Sequence, residues 1–346
     1  MKVAVYSEKK AEESQVGWHR TCTGISYFAN NVRKEPLYLN KTYFTLTFTY
    51  EFEHSNDTVL FAYSVPYTYS ELVEDLAAIE IDPLRCQYSY RKTLCKTLAG
   101  VNCDYLTVTS RERKETAAKR QCVVISARVH PGETVGSWMM RGLLKFITDP
   151  YNLEARLLRE NFIFKIIPML NPDGVINGNY RCSLAGCDLN RRWKAPSKVI
   201  HPTVYHTKKL VKESHEERGV YLFCDLHGHS RKHNVFMYGC HNQKTPEETR
   251  IFPYLLGKVS KYFSFDLSRF GNQKSKESTA RISLYKDLRN VPNIYTMEST
   301  FSGMDFGPLK GSHLTTDDLE NMGRDLVRAI AVYSEIYVAP DLVGIH

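Results

Sequence analysis

A histidine and a glutamate, His130 and Glu133, are separated only by a proline and a glycine in a turn-like segment that follows an apolar stretch. A second histidine, His227, and a second glutamate, Glu298, follow later apolar stretches in the same way. Two histidines and one glutamate form a known ligand set of catalytic zinc sites, in which the fourth position stays open for water. We therefore expect His130, Glu133 and one later histidine to bind Zn²⁺. His227 is the first choice, and His229, two residues further on, is the alternative.

Each of these residues alone has a simpler interpretation. The HPGE segment could be a turn that places its glutamate at a helix N-terminus, where the helix dipole favours a negative charge. The DLHGH segment could carry surface histidines, and Glu298 could be an ordinary carboxylate at a strand end. A structural zinc site made from Cys182, Cys187, Cys224 and His227 is disfavoured, because the spacing of the first two cysteines is not the usual one. The combination of residues, each at the end of an apolar segment, favours a catalytic site.

The elements that must position these side chains alternate along the chain from about residue 67. Apolar, β-branched segments predict strands over residues 122–129, 162–169, 220–226, 234–238 and 293–297. Helical patterns cover residues 133–148, 153–159 and 317–337, the last capped by Thr315 or Thr316. Such alternation predicts an α/β fold with a mixed, largely parallel central sheet flanked by helices. In such sheets, binding sites form where the strands end.

The first part of the chain has a different character. Residues 42–53 and 58–65 alternate in a strand-like way, and the turn-forming residues between them predict a β-hairpin. Pro66 ends this region, and a helix follows, for which Ser70 is the expected cap. We therefore predict a β-rich, sandwich-like N-terminal domain over residues 1–66 and a catalytic domain over residues 67–346.

Composition limits the function classes. The chain has 346 residues, 42% of them hydrophobic and 24% charged, and a formal net charge of +8. No apolar run reaches the ~18 residues of a membrane span, and no nucleic-acid-binding motif is present. The nine scattered cysteines are typical of free thiols in a reducing compartment. We expect a cytoplasmic protein that binds neither nucleic acid nor a membrane, and the positive charge is compatible with an acidic protein substrate.

Four segments together carry a resemblance to a known family: "ARVHPGE", "NPDGVINGNYRCSLAGCDLNRRW", "CDLHGHS" and "YTMESTF". They resemble the zinc carboxypeptidases of the M14 type, and most closely the cytosolic carboxypeptidase branch. Upstream, "YFTLTFTYEF" and "FAYSVPYTYSEL" are similar to the end of the β-sandwich domain that precedes the catalytic domain in this branch. The β segment before Pro66 is short for such a sandwich.

The resemblance implies a role for each matching position. His130, Glu133 and His227 would bind one Zn²⁺, and Glu298 would act as the general base on the attacking water and then as an acid toward the leaving amine. Arg181 would stabilise the oxyanion, and Asn190 with Arg191 would hold the terminal carboxylate of the substrate. The residue types suit these roles, because a carboxylate can accept the proton of water and a guanidinium pairs with a carboxylate through two hydrogen bonds.

The same resemblance implies a substrate: C-terminal glutamate on polyglutamate side chains or acidic protein tails, such as those of tubulin. Arg281 is a candidate for the cation that a glutamate pocket needs, although the nearby Lys274, Lys276 and Lys286 could attract an acidic tail instead. A cytoplasmic, microtubule- or cilium-associated location would follow. Two other functions stay open, a zinc-dependent acyl-amino-acid amidohydrolase and a non-catalytic protein that binds acidic tails.

Overall fold

The computed structural model describes residues 1–33, 41–111, 120–288 and 290–337. The chain divides into two units, Met1–Pro66 and Tyr67–His346. The secondary structure of the first unit is β1 (Val3–Ser7), α1 (Glu8–Ser14), β2 (His19–Thr21), β3 (Thr23–Arg33), β4 (Thr42–Thr49) and β5 (Val59–Ala62). These strands form a three-stranded antiparallel sheet in the order β2-β1-β5 and a separate antiparallel pair, β3-β4.

The predicted hairpin in the first unit is wrong, because β4 pairs with β3 and β5 pairs with β1. The turn between β4 and β5 is bonded to the segment that joins β1 to α1. The Asp57 carboxylate accepts hydrogen bonds from Ser7 Oγ at 2.6 Å and from the Lys9 backbone N–H at 3.1 Å. These bonds fasten the turn to the start of α1. Val59 of β5 packs against a small core formed by Val3, Val5 and Cys22.

The second unit is built on an eight-stranded mixed sheet in the order β12-β11-β13-β10-β8-β9-β7-β6. Its strands are β6 (Ser89–Lys96), β7 (Asn102–Val108), β8 (Gln121–Ala127), β9 (Phe162–Ile167), β10 (Val220–His229), β11 (Val235–Gly239), β12 (Arg269–Phe270) and β13 (Ile294–Thr300). The four central strands, β13, β10, β8 and β9, are parallel. Strands β8 and β10 are almost wholly buried, as expected for parallel strands covered on both faces.

Helices accompany this sheet, as the alternating pattern predicts. They are α2 (Tyr69–Ile81), α3 (Thr134–Ile147), α4 (Leu153–Asn161), α5 (Pro172–Ile176), α6 (Pro202–Arg218), α7 (Glu248–Val259), α8 (Ala280–Asp287) and α9 (Thr316–Tyr333). The α/β fold with a mixed central sheet is therefore confirmed. Among the described helices, none has both the length and the apolar character that crossing a membrane requires.

The helix caps differ from prediction at one position. Thr68, rather than Ser70, caps α2: its hydroxyl accepts from the Glu71 backbone N–H at 3.1 Å, and the Glu71 carboxylate accepts from the Thr68 N–H at 2.6 Å. This reciprocal pair satisfies two N–H groups at once, which a serine inside the first turn cannot do. Thr315 caps α9 in the same way, with Asp318 as its partner.

Helices α3 and α9 meet through glycines. A Cβ atom on Gly142 of α3 would overlap the backbone oxygen of Glu320, and a Cβ on Gly323 of α9 would overlap the backbone oxygen of Met139. The two helices therefore pack backbone to backbone at these positions. Since Glu133 is the residue that precedes α3, this contact helps to set where the turn before the helix lies.

Candidate active site

Parallel strands bring the predicted residues to one edge of the sheet. Strand β8 ends just before His130, and the neighbouring β10 carries His227 near its own end. In the register of β10 and β13, His227 lies beside Glu298. Register partners project from the same face of a sheet, so the His227 imidazole and the Glu298 carboxylate lie over one face. The Gly228 N–H also donates to Glu133 Oε2 at 3.0 Å, which joins the turn to β10.

The turn after β8 is held by a residue that the sequence analysis did not single out. Arg128 has a left-handed backbone conformation, with φ of 57°. Its buried guanidinium donates to the Pro131 carbonyl at 2.7 Å and to the Ser137 hydroxyl at 2.8 Å. The Gly132 N–H donates to the Tyr180 carbonyl at 2.8 Å. An arginine at the end of an apolar strand was the available signal, because a buried guanidinium needs several acceptors.

The three predicted ligands converge on one point. His130 Nδ1 lies 2.8 Å from Glu133 Oε1, and His227 Nδ1 lies 3.0 Å from Glu133 Oε2. The candidate ligand atoms all lie within 4.8 Å of one another, and they form the one such cluster found among the described residues. His229 takes no part, because its Nδ1 accepts from the backbone N–H groups of Arg231 and Lys232.

The outer nitrogen of each imidazole is held by an aspartate. His130 Nε2 donates to Asp188 at 3.0 Å, and His227 Nε2 donates to Asp225 at 2.6 Å. Asp225 also accepts from the Ser126 hydroxyl at 2.7 Å. The sequence analysis assigned neither aspartate a role, although one of them lies only two residues before His227 in DLHGH. Carboxylates in such positions fix the tautomer and orientation of a metal-binding histidine.

This arrangement fits a divalent cation. A neutral imidazole has one proton, and Nε2 of both histidines uses it on an aspartate. The lone pairs of both Nδ1 atoms then point at the negative Glu133 carboxylate. This contact is repulsive unless a cation lies between these atoms or each Nδ1 takes up a proton. Burial favours the neutral acid of Glu133. The His130 and His227 rings, when each carries a second proton on Nδ1, donate to this carboxylate and hold its pKa well below its usual range. Burial lowers the pKa of His227, but Asp225 and Glu133 outweigh it and raise that pKa well above its ordinary value.

The loop that follows α5 supplies three of the predicted substrate contacts. Arg181 Nε donates to Asp188 Oδ2 at 2.9 Å, and its Nη1 lies 3.7 Å from Glu133 Oε1. The Asn190 backbone N–H donates to Asp188 at 2.9 Å, and the Arg191 guanidinium donates to the Asn190 carbonyl at 3.0 Å. Asp188 thus connects His130, Arg181 and Asn190.

All eight predicted residues line one cavity of about 830 Å³. Glu298 faces into it, and burial raises the pKa of this carboxyl to about 8. The cations that line the cavity are Arg181, Arg191, Lys232, Arg269, Lys276 and Arg281. Among the described residues, only Arg181 of these six has a carboxylate within 4.0 Å. Arg281 is buried and donates to two backbone carbonyls, those of Gly239 and Gly271.

Of the three lysines considered as alternatives, Lys274 does not line the cavity, and the other two lie in different places. Lys276 lines the cavity, whereas Lys286 forms an ion pair of 2.9 Å with Glu277. The cavity therefore combines a site for a divalent cation, two carboxylates and an excess of positive charge. Such a site can activate water and bind an anionic substrate.

Comparison with known proteins identifies relatives of this site and fold. The profile of the zinc carboxypeptidase family, M14, matches residues 82–298. The chain is 44% identical over 342 residues to cytosolic carboxypeptidase 3 of Mus musculus, an alignment that covers 97% of this chain and 33% of that protein. It is 47% identical over 325 residues to cytosolic carboxypeptidase 2 of Danio rerio, which covers 92% of this chain and 44% of that protein. The chain thus spans a third to less than half of the length of these relatives.

Solved structures agree with this fold. The metallo-carboxypeptidase from Burkholderia cenocepacia superposes with a TM-score of 0.76 at 23% identity, over 97% of this chain and 81% of that one. The metallo-carboxypeptidase from Pseudomonas aeruginosa in complex with (2-guanidinoethylmercapto)succinic acid gives a TM-score of 0.75 at 23% identity, over 97% and 80%. Zinc is the cofactor of this family, in agreement with the convergence of His130, Glu133 and His227 on one point. Because the family profile covers more than half of the chain, the chain belongs to the M14 family of zinc carboxypeptidases, and it is similar to the cytosolic carboxypeptidases of that family.

Proposed function

We propose that this chain is a metallocarboxypeptidase that releases C-terminal glutamate from polyglutamate side chains or acidic protein tails. The observation that carries the proposal is the cavity in which the His130, Glu133 and His227 ligand set and Glu298 lie among cations, most of which have no carboxylate partner among the described residues. Residues 67–346 would form the catalytic domain, and residues 1–66 a β-rich domain of their own.

Zinc, when held by His130, Glu133 and His227, supplies a Lewis acid that polarises the scissile carbonyl and lowers the pKa of water. Glu298 accepts a proton from the attacking water and later gives it to the departing amine, so that the reaction returns the carboxylate to its starting state. Arg181 donates to the carbonyl oxygen as negative charge develops there. A donor in this position is worth about 3–4 kcal/mol of barrier in comparable sites.

Substrate recognition follows from the remaining groups. Asn190 and Arg191 bind the terminal α-carboxylate, for which a guanidinium fork has the matching geometry. Arg281 binds the glutamate side chain. Its guanidinium is buried among carbonyl oxygens, which satisfy its hydrogen bonds and leave its charge without a carboxylate among the described ion pairs. An arriving carboxylate would supply that partner, and a neutral or basic side chain would not.

We extend the proposal to the protein partner and the location. The related proteins are named cytosolic carboxypeptidases, which supports a cytoplasmic location. Tubulin tails fit the cavity by charge, since they are acidic, and a microtubule- or cilium-associated enzyme would meet them there.

The test uses a synthetic peptide that ends in several glutamates. We expect mass spectrometry to show stepwise loss of single glutamates, and a zinc chelator to stop it. The Glu298→Gln variant should lose about 10²–10⁴-fold in kcat, the usual range for a general base, while its zinc content and thermal stability stay those of the wild type.

Other outcomes have defined meanings. Trimming of a peptide that ends in lysine or leucine, in preference to glutamate, would contradict the assignment of Arg281. Hydrolysis of acyl-amino acids with no peptide cleaved would show an amidohydrolase instead. A chain that binds the acidic peptide but never shortens it would be a binding protein.

A further inference from the structure

The cavity holds a second cationic group apart from the residues used above. In the sheet, Phe236 of β11 lies beside Glu298, and Tyr238 lies beside Arg269 of β12. Register partners share a face, so Arg269 is on the face of the sheet that carries Glu298. Lys232 joins it there, because its ammonium lies 4.5 Å from the centre of the Phe236 ring and 5.7 Å from that of Tyr238.

The charges of this pair are not balanced within the described protein. Lys232 Nζ has the Leu267 carbonyl at 3.5 Å, and the Arg269 guanidinium donates to the carbonyls of Asp266 and Ser268 at 2.6 and 2.8 Å. Neither cation forms an ion pair with a carboxylate among the described residues. Burial and the neighbouring Arg269 lower the pKa of Lys232, and they outweigh the Glu298 carboxylate, which raises it. Two like charges held close together, with no carboxylate in ion-pair contact among the described residues, make a favourable place for an anion.

The other cations of the cavity form a second group, which adjoins the first at Tyr238, since Arg281 and Arg269 both interact with that side chain. Lys276 interacts with Arg191, Arg181 and Arg281, which after burial lower its pKa. If the proposed function holds, this group accounts for both carboxylates of the glutamate that is released, the α-carboxylate at Arg191 and the side chain at Arg281. Lys232 and Arg269 are then left for a third carboxylate. The released glutamate has no third carboxylate, and Glu298, which acts at the scissile bond, is near enough to Lys232 to influence its charge. The third carboxylate therefore belongs to the residue on the other side of that bond.

We infer that Lys232 and Arg269 form a second anion subsite, which binds the carboxylate side chain of the residue that precedes the one released. This inference rests on the proposed function and sharpens it, since a carboxypeptidase with both subsites selects runs of acidic residues over a single terminal glutamate. Hydrogen bonds between a guanidinium or ammonium and a carboxylate are among the stronger ones in proteins, so the selection should be measurable.

The experiment compares peptides that end in Glu-Glu, Ala-Glu and Glu-Leu. We expect the wild type to show a kcat/KM at least about tenfold higher for Glu-Glu than for Ala-Glu, the ratio that corresponds to one charged hydrogen bond. The double variant Lys232→Met, Arg269→Gln should bring this ratio close to one. Arg231→Gln is the matched control, because Arg231 is exposed, adjacent in the chain and outside the cavity lining; it should keep the wild-type ratio.

Three results would contradict the proposed subsite. The first is a wild-type ratio of kcat/KM for Glu-Glu over Ala-Glu that is near one. The second and third concern the double variant: an equal loss of kcat/KM on Glu-Glu and Ala-Glu, or a change only in its preference for terminal glutamate over leucine. The same peptides are also titrated calorimetrically against Glu298→Gln protein. If the wild type cleaves nothing, the proposed activity fails, and the subsite is then decided by binding. Tighter binding of Glu-Glu that depends on Lys232 and Arg269 would support it, and equal binding of both peptides would exclude it.

Discussion

The two histidines of the site present the same ring nitrogen to Glu133, but they are supported in different ways. His130 lies in a turn, and its outer nitrogen is held by Asp188, whose side chain is 20% exposed and also binds Arg181. His227 lies within a central strand, and its outer nitrogen is held by Asp225, whose side chain is fully buried and also binds Ser126. One support therefore lies in the loop that follows α5, and the other lies in the core of the sheet.

This difference predicts that the two aspartates do different work. Asp188 holds both His130 and Arg181, so its substitution should lower the rate of the reaction. Asp225 connects His227 to strands β8 and β10, so its substitution should weaken metal binding and destabilise the fold. Variants of the two supports can test whether this division holds.

The largest effect is expected for Asp225→Ala. Its removal leaves a buried imidazole N–H and the buried Ser126 hydroxyl without a partner, in a place that is closed to water. We expect a loss of about 1–3 kcal/mol in the free energy of unfolding of the zinc-loaded protein and about 10–100-fold in zinc affinity. Chelator competition and thermal unfolding measure both, and excess zinc should restore most of the turnover. Unchanged zinc affinity would contradict the assigned support.

The second-largest effect is expected for Asp188→Ala. In contrast to Asp225→Ala, this variant should lose more activity than zinc affinity. Water can reach this position and replace part of the lost hydrogen bonding, so we expect zinc affinity to fall by less than about tenfold. The kcat/KM should nevertheless stay low when zinc is saturating, because Arg181 loses its anchor. Steady-state kinetics over a zinc titration distinguish the two variants. Full recovery of Asp188→Ala by zinc would show that both aspartates support only the metal.

The smallest effect is expected for Ser126→Ala, which removes one hydrogen bond to Asp225 and keeps the carboxylate. We expect a loss of about 0.5–1.5 kcal/mol in stability and a change in zinc affinity of less than about threefold. Ser283→Ala is the matched control, since Ser283 is also a buried serine with a hydrogen bond, to the Trp193 carbonyl, and belongs to no ligand contact described above. If both variants change zinc affinity equally, the Ser126 contact has no special role.

The sequence allowed the fold class to be predicted, together with the set of residues that the structure brings into one cavity. Strand-end placement indicated that His130, Glu133, Glu298 and one of the two histidines His227 and His229 would lie close together, because parallel strands end at the same edge of a sheet. The sequence analysis assigned neither Asp188 nor Asp225. Asp188 contacts His130, which is far away in sequence, and an aspartate in a loop has no pattern that distinguishes it from a surface charge. Asp225 lies in β10 two residues before His227, and residues two apart in a strand share a face, so its contact with His227 could have been predicted.

The wrong hairpin has a similar origin. Sequence neighbours often pair, yet β5 pairs with β1, because Asp57 is bonded to Ser7 and Lys9 rather than closing a turn toward β4. Helix α7 was not predicted, and it contains Pro253 in its interior, a residue that ordinarily ends a helix. In both cases tertiary contacts override a local preference.

The glycine contact between α3 and α9 has a consequence for how variation in this protein should be interpreted. Gly142 and Gly323 touch neither the ligands nor the cavity, yet neither position has room for a single methyl group. An alanine at either position would push the helices apart and shift the helix that begins after Glu133. In a screen of random substitutions, changes at these two glycines would therefore abolish activity as changes in the active site do. A method that ranks positions by their distance from the metal site would wrongly predict that both glycines tolerate substitution.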